Sequence, residues 1–137
     1  MGLFSNLLGQ AKKLSKLGNA VANIKNMLDR YESDQDVSYL LVSAWICKVG
    51  ILDMMMANNW ERNYVAYVPF DGHQRKMTME EILSSTVYRL MDCVCAYGNK
   101  NFEENIRDVL RGGMSFDELD AQIPQQIKEV IENPKYT

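Results

Sequence analysis

Leu3, Leu7, Leu14, Leu17, Val21, Ile24, Leu28 and Tyr31 recur at alternating spacings of three and four residues, with Gln10 the one polar position in the series. On a helix of 3.6 residues per turn this spacing draws a single stripe along one side. The predicted helix runs from about Leu3 to Arg30. Its other sides carry Lys12, Lys13, Lys16, Lys25 and Arg30 against one acid, Asp29, so it reads as basic and amphipathic. A stripe of this length has to be covered by its own domain, a second copy, a partner helix or a membrane surface. Gly9 and Gly18 interrupt it, each costing a helix about 1 kcal/mol relative to Ala, so it needs tertiary support.

The charge is unevenly spread. Residues 1–30 hold five Lys/Arg and one acid, a net +4, whereas residues 31–137 hold ten Lys/Arg and seventeen acids, a net −7. An acidic body repels phosphodiester backbones, which argues against nucleic acid as a partner. It also offers an electrostatic complement to the basic segment. With 137 residues and 47% apolar content, the chain can bury a real core. The organisation expected is an amphipathic N-terminal helix over 1–31 and an acidic helical domain over 35–137.

Cys47, Cys93 and Cys95 are odd in number and no secretory leader is evident, so reduced thiols and a cytoplasmic location, with a membrane-peripheral variant, are expected. Gly2 invites lipidation, but Asn6 stands where the myristoylation pattern wants Ser or Thr. The apolar run from Val37 to Ala57 contains Lys48 and Asp53. Each charge would cost about 2.5–3.5 kcal/mol near a bilayer centre, so a central core helix is the expectation.

Glu32–Asp36 reads as a turn, with Ser33 or Asp34 capping a second helix over about Gln35–Asn58. Met54, Met55 and Met56 on it read as core filler. Trp60 to Phe70 reads as helix continuing into an extended loop that stops at Pro69: Tyr64–Val68 has strand propensity, but no second strand is evident to pair with it. Asp71-Gly72 signals a turn. Thr78-x-x-Glu81 is a capping box opening a third helix that Gly98 ends. A fourth helix is expected over about Phe102–Arg111, opened by Asn101 and Glu104. A short one follows Ser115, and Pro124 opens a last one through Ile127 to Ile131. The fold class expected is all-α, a compact bundle of five or six helices with a long amphipathic N-terminal helix.

Chemistry-bearing constellations are sparse. His73 is the single histidine; with Asp71 it could form an acid–base pair, yet two residues in one turn rarely reach that geometry. Cys93 and Cys95 point to opposite sides of a helix and cannot share a tetrahedral metal. Glu80-Glu81 and Glu103-Glu104 sit where helix dipoles favour carboxylates. Lys48 and Asp53, five residues apart, do not face each other in a regular helix. No catalytic, cofactor or metal site is therefore expected. The functional expectation is a non-enzymatic protein–protein interaction or assembly module. Its partner-binding residues would be Leu3, Phe4, Leu7, Leu14, Leu17 and Val21, with Trp60, Tyr64 and Tyr67 of an aromatic loop. Two alternatives are a peripheral membrane protein whose Lys12, Lys13 and Lys16 meet anionic headgroups, and a small enzyme built around residues 71–73.

Overall fold

The computed structural model describes residues 3–70 and 73–124, without the side chains of residues 3–8, 10, 11, 69, 70 and 116. Among these residues the chain is mostly helical, with five helices and one small sheet. Helix α1 spans Leu3–Asp34. Helix α2 spans Ser38–Ala57. Strands β1 (Val65–Phe70) and β2 (His73–Thr78) form an antiparallel hairpin. Helix α3 runs on directly as Met79–Leu83, Ser84–Tyr88 and Arg89–Tyr97. Helices α4 (Lys100–Leu110) and α5 (Phe116–Asp120) follow. The expected final helix beyond Pro124 and the Asp71-Gly72 turn lie outside the described residues.

The local signals that hold are those written in short-range hydrogen bonds. At the start of α3 the Glu81 N–H donates to Thr78 Oγ1 (3.1 Å) and the Thr78 N–H donates to Glu81 Oε1 (3.3 Å), a complete capping box. Gly98 ends α3 in the left-handed region, φ 78°, where a side chain would be strained. Elsewhere the caps shift. Asn99, rather than Asn101, opens α4 by accepting the Phe102 N–H at 3.0 Å. Neither Ser33 nor Asp34 caps α2, because α1 continues through both. The Asp36 carboxylate accepts the Ser38 N–H instead, at 2.9 Å. Gln35 adopts φ 60° and its side-chain amide donates to the carbonyls of Tyr31 and Glu32 at 3.4 and 3.2 Å, closing the end of α1.

The all-α expectation is corrected by the hairpin. Val65, Tyr67 and Phe70 pair with Thr78, Lys76 and His73, and between them Ala66, Val68 and Pro69 pair with Met77, Arg75 and Gln74. Ala66, Val68 and Met77 face inward and are buried, while Val65 and Tyr67 face out. Pro69 is tolerated because β1 has only one neighbouring strand. The second strand, His-Gln-Arg-Lys-Met-Thr, offers one inward apolar residue, so it carries almost no alternating pattern.

One core joins all these elements. Leu17, Val21, Ile24, Leu28 and Tyr31 of α1 are buried with Leu40, Ala44, Cys47 and Ile51 of α2. Val68 and Met77 of the hairpin, Ile82, Leu90 and Val94 of α3, and Ile106 and Val109 of α4 complete it. A boundary after residue 31 thus divides segments that share a core. Arg89 of α3 donates to Asp29 (2.9 Å) and Glu32 (3.0 Å) of α1, closing α1 onto α3 at the surface. The buried hydroxyls of Ser43 and Thr86 donate to the carbonyls four residues back, Tyr39 and Ile82, at 2.8 and 2.6 Å.

Helix α2 is long and apolar enough to cross a membrane, with mean hydropathy 1.7. Its first half is buried in the core, and Lys48 pairs with Asp53. That pairing corrects the expectation for residues five apart. Lys48–Leu52 is a π turn, and a wider turn brings the i and i+5 positions into line. It also presents Gly50 to α1, where a methyl would stand 2.6 Å from Ala20 Cβ.

A Gly→Ala change inside a helix ordinarily stabilises it by about 1 kcal/mol. Gly50→Ala is expected to do the reverse and cost about 1–3 kcal/mol through overpacking. Gly9→Ala, where a methyl meets nothing within 4 Å, is expected to be neutral or stabilising. Urea denaturation of the two variants checks the pair, and Ala20→Gly should restore part of the loss in Gly50→Ala.

Candidate functional site: the leading part of α1 and the apolar cleft of α2

Among the described side chains of α1, the buried stripe begins at Leu17, and Leu14 packs against the same core from its edge. Leu17 is fully buried and Val21 is 4% exposed, so these two expected partner-binding residues face the chain's own interior. Leu14 is half-buried, and Lys12, Lys13 and Lys16 are exposed. The side chains of Leu3, Phe4 and Leu7 lie outside those described. What α1 presents ahead of its core segment is therefore a helical backbone with three exposed lysines and no acid in residues 1–16.

The aromatic residues separate in the same manner. Trp60 is buried and stacks on Tyr64, with ring centroids 5.9 Å apart and planes at 14°. Tyr64 is partly exposed, and Tyr67 is 57% exposed on the outer face of β1. Backbone bonds fix this region: the Met79 N–H donates to Tyr64 O (3.0 Å) and the Glu80 N–H to Arg62 O (2.9 Å). The aromatic residues thus stand on an ordered turn and hairpin rather than on the loop expected from the sequence.

Sequence reasoning missed a cleft of about 360 Å³ lined by Leu52, Met55, Met56, Asn59, Trp60, Glu61 and Leu83. It lies where α2 ends, at the left-handed Asn59 (φ 53°), and meets α3. Met56 is 79% exposed and Met54 and Met55 are half-buried, so the methionine run is not plain core filler. The usable signal was the run itself beside Trp60, because flexible thioethers are favoured on surfaces that adapt to a partner.

The remaining titratable groups are accounted for structurally. His73 is exposed at the first position of β2. Burial pushes the Cys47 thiol far above its ordinary range. Cys93 is also raised, by burial first and by the carboxylates of Glu32 and Asp92, against the lowering effect of Arg89. Cys95 is raised by desolvation and by its hydrogen bond to Glu103 at 3.5 Å. None of the three thiols is shifted toward the thiolate form that nucleophilic chemistry or metal binding requires. Among the described residues no group of three or more His, Cys, Asp or Glu side chains could hold a metal ion.

Trp60→Ala is expected to cost about 3–5 kcal/mol of stability as a buried aromatic. Tyr67→Ser, on the outer face, should stay within about 0.5 kcal/mol. Thermal and urea unfolding of both variants measure the contrast. Comparison with protein-family models, curated proteins and solved structures finds no match for the chain, so its functional reading rests on these residues alone.

Proposed function

We propose that this chain is a non-enzymatic assembly module that docks through residues 3–16 of α1, with the apolar cleft at the end of α2 in a second copy as the receiving surface. The observation that carries the reading is the exposed set Lys12, Lys13 and Lys16 on α1 ahead of Leu17, the first buried side chain among those described. By helical geometry positions 3, 7 and 14 continue the stripe that Leu17 and Val21 occupy, while Lys12 and Lys16 fall on the opposite side and Lys13 flanks the stripe. The leading stretch is then an amphipathic helix about 20 Å long at 1.5 Å per residue. A stripe of that kind is stable only when covered.

The cleft suits such an occupant. Its lining is Leu52, Met55, Met56, Trp60 and Leu83, with Glu61 at its edge. The residues after 30 carry net −7 and the leading 30 carry +4, so copies attract arm to body. An arm docking on a different patch of the next copy is a heterologous contact, which builds open chains unless the rotation closes a ring.

A second reading, attachment to an anionic membrane surface, is favoured by one specific observation. Lys12, Lys13 and Lys16 are all exposed, with no acid in residues 1–28 to neutralise them. Each lysine near an anionic leaflet is worth about 1 kcal/mol. The continuation of the stripe through Val21, Ile24 and Leu28 spoke for a protein surface. Those residues are now accounted for by the chain's own core, so the length of the stripe no longer speaks against shallow insertion of the tip.

One set of measurements separates the readings. Light scattering after size-exclusion chromatography should show concentration-dependent association of the full chain. Removal of residues 1–13 should abolish it with helical content otherwise kept, and Met56→Asp in the cleft should weaken it at least tenfold. A chain that stays monomeric at all concentrations would contradict assembly. Sedimentation with anionic vesicles at low salt, lost in the triple Lys12, Lys13, Lys16→Glu variant, would establish the membrane reading in its place.

A further inference from the structure

The two edges of the hairpin are unequal. Three observations fix which backbone groups of β2 face β1 and which face away. The Met79 N–H donates to Tyr64 O at 3.0 Å and continues the register in which Val65 stands opposite Thr78. The Thr78 N–H points off the ladder, to Glu81 Oε1 at 3.3 Å. Pro69 stands opposite Gln74 and has no N–H to give across the pair. In an antiparallel ladder, bonded and non-bonded pairs alternate. Ala66 with Met77 and Val68 with Arg75 are therefore the pairs that exchange bonds, and Tyr67 with Lys76 and Pro69 with Gln74 are the pairs that do not.

It follows that Gln74 and Lys76 turn their N–H and C=O groups away from β1. Among the described residues neither makes a further hydrogen bond or ion pair, and residues 73–76 are all exposed. On the other edge the same phase turns Tyr67 and Pro69 outward, and Pro69 leaves a gap in the row of donors. The edge of β2 has no such gap between Gln74 and Lys76. A row of unpaired backbone groups is a template for another strand.

The side chains decide which strand fits. β2 holds Arg75 and Lys76 and no acid. Cations on an edge oppose pairing with a like-charged strand, which disfavours a second copy of β2 and favours an acidic strand. Successive side chains point to opposite faces, so an added strand meets one cation on each face. The chain itself satisfies the next outward donor, the Thr78 N–H, with a carboxylate.

We infer that the open edge of β2 receives an extended acidic peptide as a third strand. Backbone bonds to Gln74 and Lys76 hold the peptide, and Arg75 and Lys76 select acidic over basic sequences. This surface does not involve the leading part of α1 or the apolar cleft at the end of α2.

The register supplies a direct control. Lys76→Pro removes an outward N–H without removing a bond to β1, and an edge strand tolerates proline. Amide chemical shifts and exchange rates of the full chain are followed during titration with an end-blocked peptide of alternating Glu and Val. The expected result is saturable shifts centred on residues 74–76, with slowed exchange of the Gln74 and Lys76 amides, which a purely ionic contact would not give. Binding should weaken at least tenfold in Lys76→Pro. The double variant Arg75→Glu, Lys76→Glu changes exposed side chains alone, should weaken binding as much, and decides the matter if Lys76→Pro does not fold. A peptide of alternating Lys and Val should not bind. The inference is overturned if the acidic peptide gives no saturable shifts at residues 74–76, if the two amides are not slowed, or if the basic peptide binds equally well. Slowing of the same amides with rising protein concentration and no peptide would also overturn it, because a second copy would then cover the edge.

Discussion

Ala20 of α1 and Gly50 of α2 set the distance between the two helices on which the core is built. With a hydrogen at position 50 the helix axes approach closely enough for Leu17, Ile24 and Leu28 to be fully buried against α2 and its neighbours. Gly50 reaches this position inside the π turn Lys48–Leu52. A π turn is costly and persists where packing repays it. Here it serves two contacts, placing Gly50 on α1 and aligning Lys48 with Asp53. The hairpin and α3 then close over α1, and Arg89 fixes the far side through Asp29 and Glu32. These two ion pairs have carboxylates that are more than half exposed, so each contributes little. The apolar seam carries the stability.

Much of the helical content was legible in the sequence. The stripe from Leu17 to Tyr31 and the Thr78–Glu81 box are short-range patterns, and the structure has them where the residues put them. The hairpin was not legible, for an identifiable reason. β1 has strand propensity but β2 pairs through five polar residues and one methionine, so the pairing is decided by what β1 packs on rather than by pattern. The cap at Asp36 and the left-handed Gln35 were likewise hidden. Both depend on where α1 stops, and α1 runs on to Asp34, three exposed polar residues beyond Tyr31, its last buried side chain.

The candidate sites divide along the same line. The stripe announced that something must cover α1, and periodicity alone could not say that the chain itself covers its second half. Trp60, Tyr64 and Tyr67 were legible as one aromatic loop, but the separation of Trp60 and Tyr64 into a buried and an exposed partner depends on the turn that stacks them. Surfaces assembled from several elements at once are invisible to any reading that proceeds one element at a time.

The proposed assembly requires that the cover of α1 by its own chain ends near Leu17, and hydrogen exchange of the dilute chain measures that directly. A helix of about 14 residues without tertiary cover is marginal in water, whereas core amides open only with global unfolding. Amides of residues 17–31 are predicted to exchange at the slow global limit, and those ahead of Leu14 orders of magnitude faster. Uniform slow exchange from residue 3 to residue 31 in a monomeric sample would contradict the account, because it would mean that the whole of α1 is already covered by its own chain.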